Sequence, residues 1–138
     1  MAYLTQQDLI DRFALDEIED LAPDGSGGLD AVKIAAAIAD AGNEIDIYLT
    51  SGGYGLPLSN VPPVVTSYAC DIARYRLYDN EATEQVNKRY ERAIKFLQSV
   101  ADGKIKLSAN NLDLSGDSQT VGEAQFEGGR QVFNGGGF

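Results

Sequence analysis

Apolar positions along this chain repeat with the four-three spacing of amphipathic helices in three long stretches, and in a shorter form near the N-terminus. Ile34, Ile38, Ala41, Ile45 and Tyr48 draw one stripe over about four turns, which predicts a long third helix ending near Leu49. Val65, Tyr68, Ile72 and Tyr75, widened by Ala69 and Ala73, predict a fourth, and Val86, Tyr90, Ala93, Leu97 and Val100, broadened by Ile94, a fifth. Ahead of them Leu9, Ile10 and Phe13 share one face of a first helix from about Gln6 to Phe13. Ile18 and Leu21 lie three apart on a short second helix from Glu17 to Leu21. Asp40, Asn43, Glu44 and Asp46 are left for solvent or partners, and the alanines Ala35, Ala36, Ala37 and Ala39 allow a partner helix close approach.

Punctuation agrees with these stripes. Thr5 followed by Asp8 resembles a capping box, with Leu4 and Leu9 placed as a hydrophobic staple. Asp16, Asp30 and Thr83 are the expected N-caps of the second, third and fifth helices. Pro23 ends the second helix, Gly52-Gly53 the third and Gly103 the fifth, while Pro62 or Pro63 suits the first turn of the fourth. Lys104-Ile105-Lys106-Leu107 alternates polar and apolar, which fits a short edge strand or an extended contact.

The connection between Gly52 and Pro62 departs from the pattern. Tyr54, Leu56, Leu58 and Val61 are apolar where a loop is ordinarily polar. Either the loop folds back on its own helices or it docks on a neighbouring subunit.

From Ser108 onward the composition turns to Ser, Asn, Asp, Gln and Gly, with scattered apolar points at Leu112, Leu114, Val121, Phe126, Val132, Phe133 and Phe138 and a single basic residue, Arg130. The expected architecture is therefore all-α: a small helical bundle over residues 1–107 and an extended, Gly-rich C-terminal arm over residues 108–138.

Composition narrows the chemistry. With 138 residues the chain holds one core, and a net charge of -10 sets its surface against phosphate backbones. It has no histidine and one cysteine, Cys70, so an internal disulfide is excluded and the commonest general base and metal ligand are missing. Asp20, Asp24 and Gly25 fit three positions of a calcium loop, but Ala22 and Ala31 stand where ligands are required. No cofactor and no metal are expected. Without a signal peptide or a membrane-length apolar run, the expected compartment is the cytosol, with no membrane partner. Asp71, Arg74, Tyr75 and Tyr78 are the one cluster that a small enzyme could use, and the reading is that the chain is not an enzyme. Arg74 and Arg76 are candidates for interface salt bridges, or, for Arg74, for an i, i+3 pair with Asp71.

The long helix ending Ile45-Asp46-Ile47-Tyr48-Leu49, the Tyr54-Gly55-Leu56-Pro57-Leu58 loop, Val61-Pro62 and the helix Ala69-Cys70-Asp71-Ile72-Ala73-Arg74-Tyr75 resemble the head-completion proteins of Mu-like phages and prophages. The opening Tyr3 to Leu9 and the closing Arg130 to Phe138 resemble them too. The resemblance implies a structural virion protein of the neck, assembled in the host cytoplasm. It would be a head-tail connector adaptor forming a dodecameric ring below the portal and meeting the next neck or tail protein. Double-stranded DNA would pass through the lumen without specific binding, repelled by carboxylates such as Asp40, Glu44 and Asp46. Partner contacts are then expected at Tyr54, Leu56, Leu58, Arg74 and Arg76, and along the arm at Phe126, Arg130, Phe133 and Phe138. A stand-alone helical binding or regulatory module with a disordered tail is the alternative.

Overall fold

The computed structural model describes residues 2–107 and a strand at Leu112–Leu114. Five helices run in order: α1 (Gln6–Phe13), α2 (Leu15–Leu21), α3 (Ala31–Ser51), α4 (Pro63–Leu77) and α5 (Glu84–Ala101). A two-stranded antiparallel hairpin follows, β1 (Ile105–Leu107) with β2 (Leu112–Leu114), Ile105 opposite Leu114. The fold is all-α. The hairpin reaches past Leu107, so three residues placed in the arm pair back onto the end of the bundle domain.

Local chemistry sets most helix ends. The Thr5 hydroxyl accepts from the Asp8 N–H at 3.1 Å while the Asp8 carboxylate accepts from the Thr5 N–H at 2.8 Å, and Leu4 and Leu9 are buried on either side of the cap. Asp30 accepts from the N–H groups of Val32 and Lys33, and Thr83 from that of Val86. Pro62 occupies the N-cap of α4 and Pro63 its first turn. Beyond α5, Gly103 takes a φ of +82° that a side chain would resist.

The start of α2 differs from the expected Asp16 cap. Ala14 alone separates α1 from α2, with φ +77° and ψ +146°, and its N–H donates to the Ile10 carbonyl at 2.9 Å. This sharp turn lets α2 begin at Leu15 and places Asp16 inside its first turn, where the carboxylate favours the helix dipole instead of capping it.

α3, α4 and α5 pack on one another, and α1 lies across α3 and α4. On α3 the buried residues are Ile34, Ala37, Ala41, Gly42, Ile45 and Leu49, so the observed stripe is rotated from the one drawn through Ile38 and Tyr48. α4 is enclosed on every side: Ala69, Cys70, Asp71, Ile72, Ala73 and Arg74 are consecutive and all buried. Its small residues let three helices approach together, while Tyr68 stacks on Phe96 at 4.5 Å and Tyr75 on Tyr90 at 3.9 Å to join it to α5.

Ala14 holds a backbone region that glycine alone occupies freely, a strain of about 1–3 kcal/mol. Ala14→Gly relieves that strain and loosens the unfolded chain by less, about 0.5–1 kcal/mol. The expected result is a higher urea midpoint at unchanged helical circular dichroism.

Candidate functional site

Charged groups on α4 are paired with different neighbours, while the buried Arg74 Nη1 has no hydrogen-bond partner among the described residues. Arg74 is 8% exposed; its Nε donates to Glu17 Oε2 at 2.6 Å and its Nη2 to Glu17 Oε1 at 3.0 Å, a two-pronged pair from α4 to α2. The guanidinium lies 4.3 Å over the Phe13 ring, and Tyr78 donates its hydroxyl to the same carboxylate at 3.3 Å. Asp71, one turn earlier, pairs with Arg89 of α5 at 3.2 Å. Burial raises the Asp71 pKa, and the nearby guanidinium groups, Arg89 first, oppose that rise. Arg76 donates to Glu44 Oε1 at 2.7 Å while Tyr90 donates to Glu44 Oε2 at 2.7 Å, so one carboxylate ties α3, α4 and α5. That bond is the main reason the Arg76 pKa is raised, whereas for Tyr90 burial raises it more than the bond does.

These contacts answer the expectations for the two arginines. Arg74 is used inside the bundle and not at its surface, and its ion partner is Glu17 rather than the i, i+3 neighbour Asp71. Arg76 keeps 40% of its side chain exposed while paired. The cluster of Asp71, Arg74, Tyr75 and Tyr78 is taken up in ion pairing and stacking. Of the three carboxylates expected to face a channel, Glu44 is held by α4 and α5, Asp46 accepts from the Tyr3 hydroxyl, and Asp40 remains exposed.

The loop after α3 divides. Tyr54, Leu58 and Val61 are half-buried against the core, and the Tyr54 hydroxyl accepts from the Leu107 N–H at 2.9 Å, tying the loop to β1. Gly52 is needed there for room: a Cβ would stand 3.1 Å from the Val100 carbonyl and 3.3 Å from the Tyr54 ring. Leu56, after which the peptide to Pro57 is cis, turns outward at 37% exposure. Phe126, Arg130, Phe133 and Phe138 lie outside the described residues.

Outside the predicted stripe, the far side of α3 carries a second surface. Val32 is 81% and Ile47 66% exposed, and Ala36, Ala39 and Asn43 are exposed between them. Asp40 stands at one edge of this face, and the half-buried Asp46, which accepts from the Tyr3 hydroxyl, at the other. The outer face of α5, by contrast, carries Glu84, Lys88, Glu91, Arg92 and Lys95. At its N-terminal end an open depression of about 440 Å³ is lined by Glu84, Gln85, Lys88, Arg89 and Arg92, with Lys88 paired to Glu84 at 3.0 Å. A second four-three series, Val32, Ala36, Ala39, Asn43, Ile47 and Thr50, was the available signal for the α3 face, hidden because alanines also serve helix propensity.

Among the described residues no three acidic or cysteine side chains gather as a metal site, and no helix is long and apolar enough to cross a membrane. In the turn before α3, Asp24 Oδ1 accepts from the N–H groups of Ser26 and Gly28 and from the Ser26 hydroxyl, which lowers its pKa.

The sequence profile of the family described as Bacteriophage Mu, Gp36 matches residues 3–125. The chain belongs to the Mu Gp36 family. It is 42% identical over 121 residues to the Mu-like prophage FluMu protein gp36 of Haemophilus influenzae, covering 86% of this chain and 81% of that protein. It is 32% identical over 106 residues to Gene product J of Escherichia phage Mu, covering 75% and 74%. The Gp36 match takes in all five helices and the hairpin and stops before Phe126.

Two outcomes follow for the internal site. Glu17→Ala leaves the Arg74 guanidinium buried without its counter-ion and is expected to lower stability by about 3 kcal/mol in urea unfolding. A Glu17→Leu, Arg74→Met double variant recovers most of the loss, since the desolvation penalty goes with the charges. Cys70, fully buried, has its thiol pushed up to about 11 by burial. The folded-state value lies above the unfolded one, so this contribution to stability is complete below pH 9 and is lost as pH rises through about 11. Native protein at pH 8 is therefore expected to resist thiol reagents until urea unfolds it, with labelling and circular dichroism sharing one midpoint.

Proposed function

We propose that this protein is a structural virion component, a head-tail connector adaptor that forms a ring below the portal and joins it to the next neck or tail protein. Membership of the Mu Gp36 family over residues 3–125 is the observation that carries this reading. The surface is consistent with it. An acidic helical chain whose α4 charges are paired within the bundle keeps two apolar features on its outside, the α3 outer face and the tip at Leu56.

In such a ring the DNA partner is a passing one. A chain of charge -10 repels phosphates. The copy number proposed is twelve. Assembly would take place in the host cytoplasm and end in the virion neck.

A reconstruction of particles carrying the tagged protein tests the proposal directly: density for a ring between portal and tail is expected. A chain that stays monomeric in the presence of portal would instead favour a stand-alone binding module. Leu56→Asp is expected to keep native helical circular dichroism and to stop incorporation into heads, because a new charge at the exposed tip burdens an interface without touching the core. If that variant loses its helical signal, the tip belongs to the monomer's own packing.

A further inference from the structure

We infer that the uncharged outer face of α3 is the seat for residues 126–133 of a second copy of this chain. The inference rests on the ring reading for the presence of neighbouring copies, and on the structure for the surface. The family match ends at residue 125, so these residues are argued from their own chemistry.

The seat has an apolar residue near each end, Val32 and Ile47, with the small Ala36 and Ala39 and the polar Asn43 between them; Asp40 stands exposed at one edge, and Asp46, already bonded to Tyr3, is half-buried at the other. On a helix, Val32 to Asp40 spans about 12 Å and Asp40 to Ile47 about 10 Å. The C-terminal segment has the same order of chemistry: Phe126, then Arg130, then Val132-Phe133. Extended, Phe126 to Arg130 spans about 13 Å and Arg130 to Phe133 about 10 Å. Laid parallel to α3, the segment sets Phe126 on Val32, Arg130 beside Asp40 and the Val132-Phe133 pair on Ile47. Val132 and Phe133 point to opposite sides of an extended chain, so one of them meets Ile47 whichever way the segment lies. Gly128 and Gly129 bring the backbone close to the alanines. Arg76, bonded to Glu44, also lies near Asp40, so Arg130 is the second cation at that carboxylate and marks register more than it adds affinity.

Geometry favours a second copy over the chain's own segment. The hairpin is anchored at the C-terminal end of α3, where the Leu107 N–H meets Tyr54. To begin at Val32 in parallel register, the chain's own segment would first travel back along α3, about 30 Å. Its twelve residues from Leu114 to Phe126 extend to about 40 Å at most, which leaves little slack for going around the bundle. A neighbour's segment has no such restriction.

The experiment mixes two differently tagged full-length populations, one carrying Asp40→Cys and the other Arg130→Cys, under mild oxidation; native Cys70 is buried and stays silent. A disulfide-linked heterodimer bearing both tags is expected. Adding Ile47→Asp to the first population should reduce its yield about tenfold, since one apolar contact is lost while circular dichroism stays native. A link formed only inside a single chain carrying both cysteines, an absent link, or a link indifferent to Ile47→Asp overturns the inference. Sedimentation of the same full-length samples with portal separates the two readings. Rings without the cross-link sink only this seat, while a cross-link without rings sinks the adaptor reading and leaves the seat standing.

Discussion

A guanidinium in the middle of an enclosed helix constrains everything packed around it. Arg74 sits where α4 has neighbours on all sides, so its charge must be met from within. Glu17 meets it with two hydrogen bonds, and the Phe13 ring covers its face. For Glu17 to reach it, α2 must start immediately after α1, and this is the turn that Ala14 makes in a backbone region unfavourable to alanine. A local strain is thus the companion of a buried ion pair.

The same logic distributes the other pairs. Asp71 draws Arg89 from α5, and Arg76 draws Glu44 from α3, which Tyr90 also holds. Apolar contacts are non-directional, and a bundle with alanine-rich seams could rotate or slide at small cost. Three ion pairs, each from α4 to a different helix, raise the cost of every alternative register, because a slipped register strands charges. Their net contribution to stability is modest after desolvation. Their value lies in the alternatives they exclude.

Where information was local, the sequence could be read. Caps at Thr5, Asp30 and Thr83, the Pro62-Pro63 start and the glycine stops each act within a few residues, and they located four of the five helices closely. The stripe of α5 was legible because its outer face is charged. On α4 the stripe of Val65, Ala69, Ile72 and Ala73 is buried as read, but Cys70, Asp71 and Arg74 beside it are buried too, and two charged residues carry no hydrophobic signal. The Glu17 partner of Arg74 lies 57 residues away, beyond any local signature. In the loop after α3, composition revealed an anomaly but could not divide it into Tyr54 and Leu58, which pack inward, and Leu56, which does not. The outer face of α3 is harder to read for a related reason: its alanines fit a close helix contact and helix propensity equally well, and nothing local joins them to Val32 and Ile47.

That face matters because of the charge elsewhere. Copies of a chain with ten surplus negative charges repel one another, and a helical surface such as that of α5, dressed with Glu, Lys and Arg, would hold water in any contact. Association then requires a seam that is nearly free of charge and shallow enough for backbone to approach. Most outward residues of the described bundle are polar, yet α3 runs from Val32 to Ile47 with carboxylates only at its edges, Asp40 on one side and the half-buried Asp46 on the other. Keeping Val32 and Ile47 in water has no benefit to a monomer. In the proposed ring, the net charge limits where copies can meet, and the outer face of α3 is the place it leaves open.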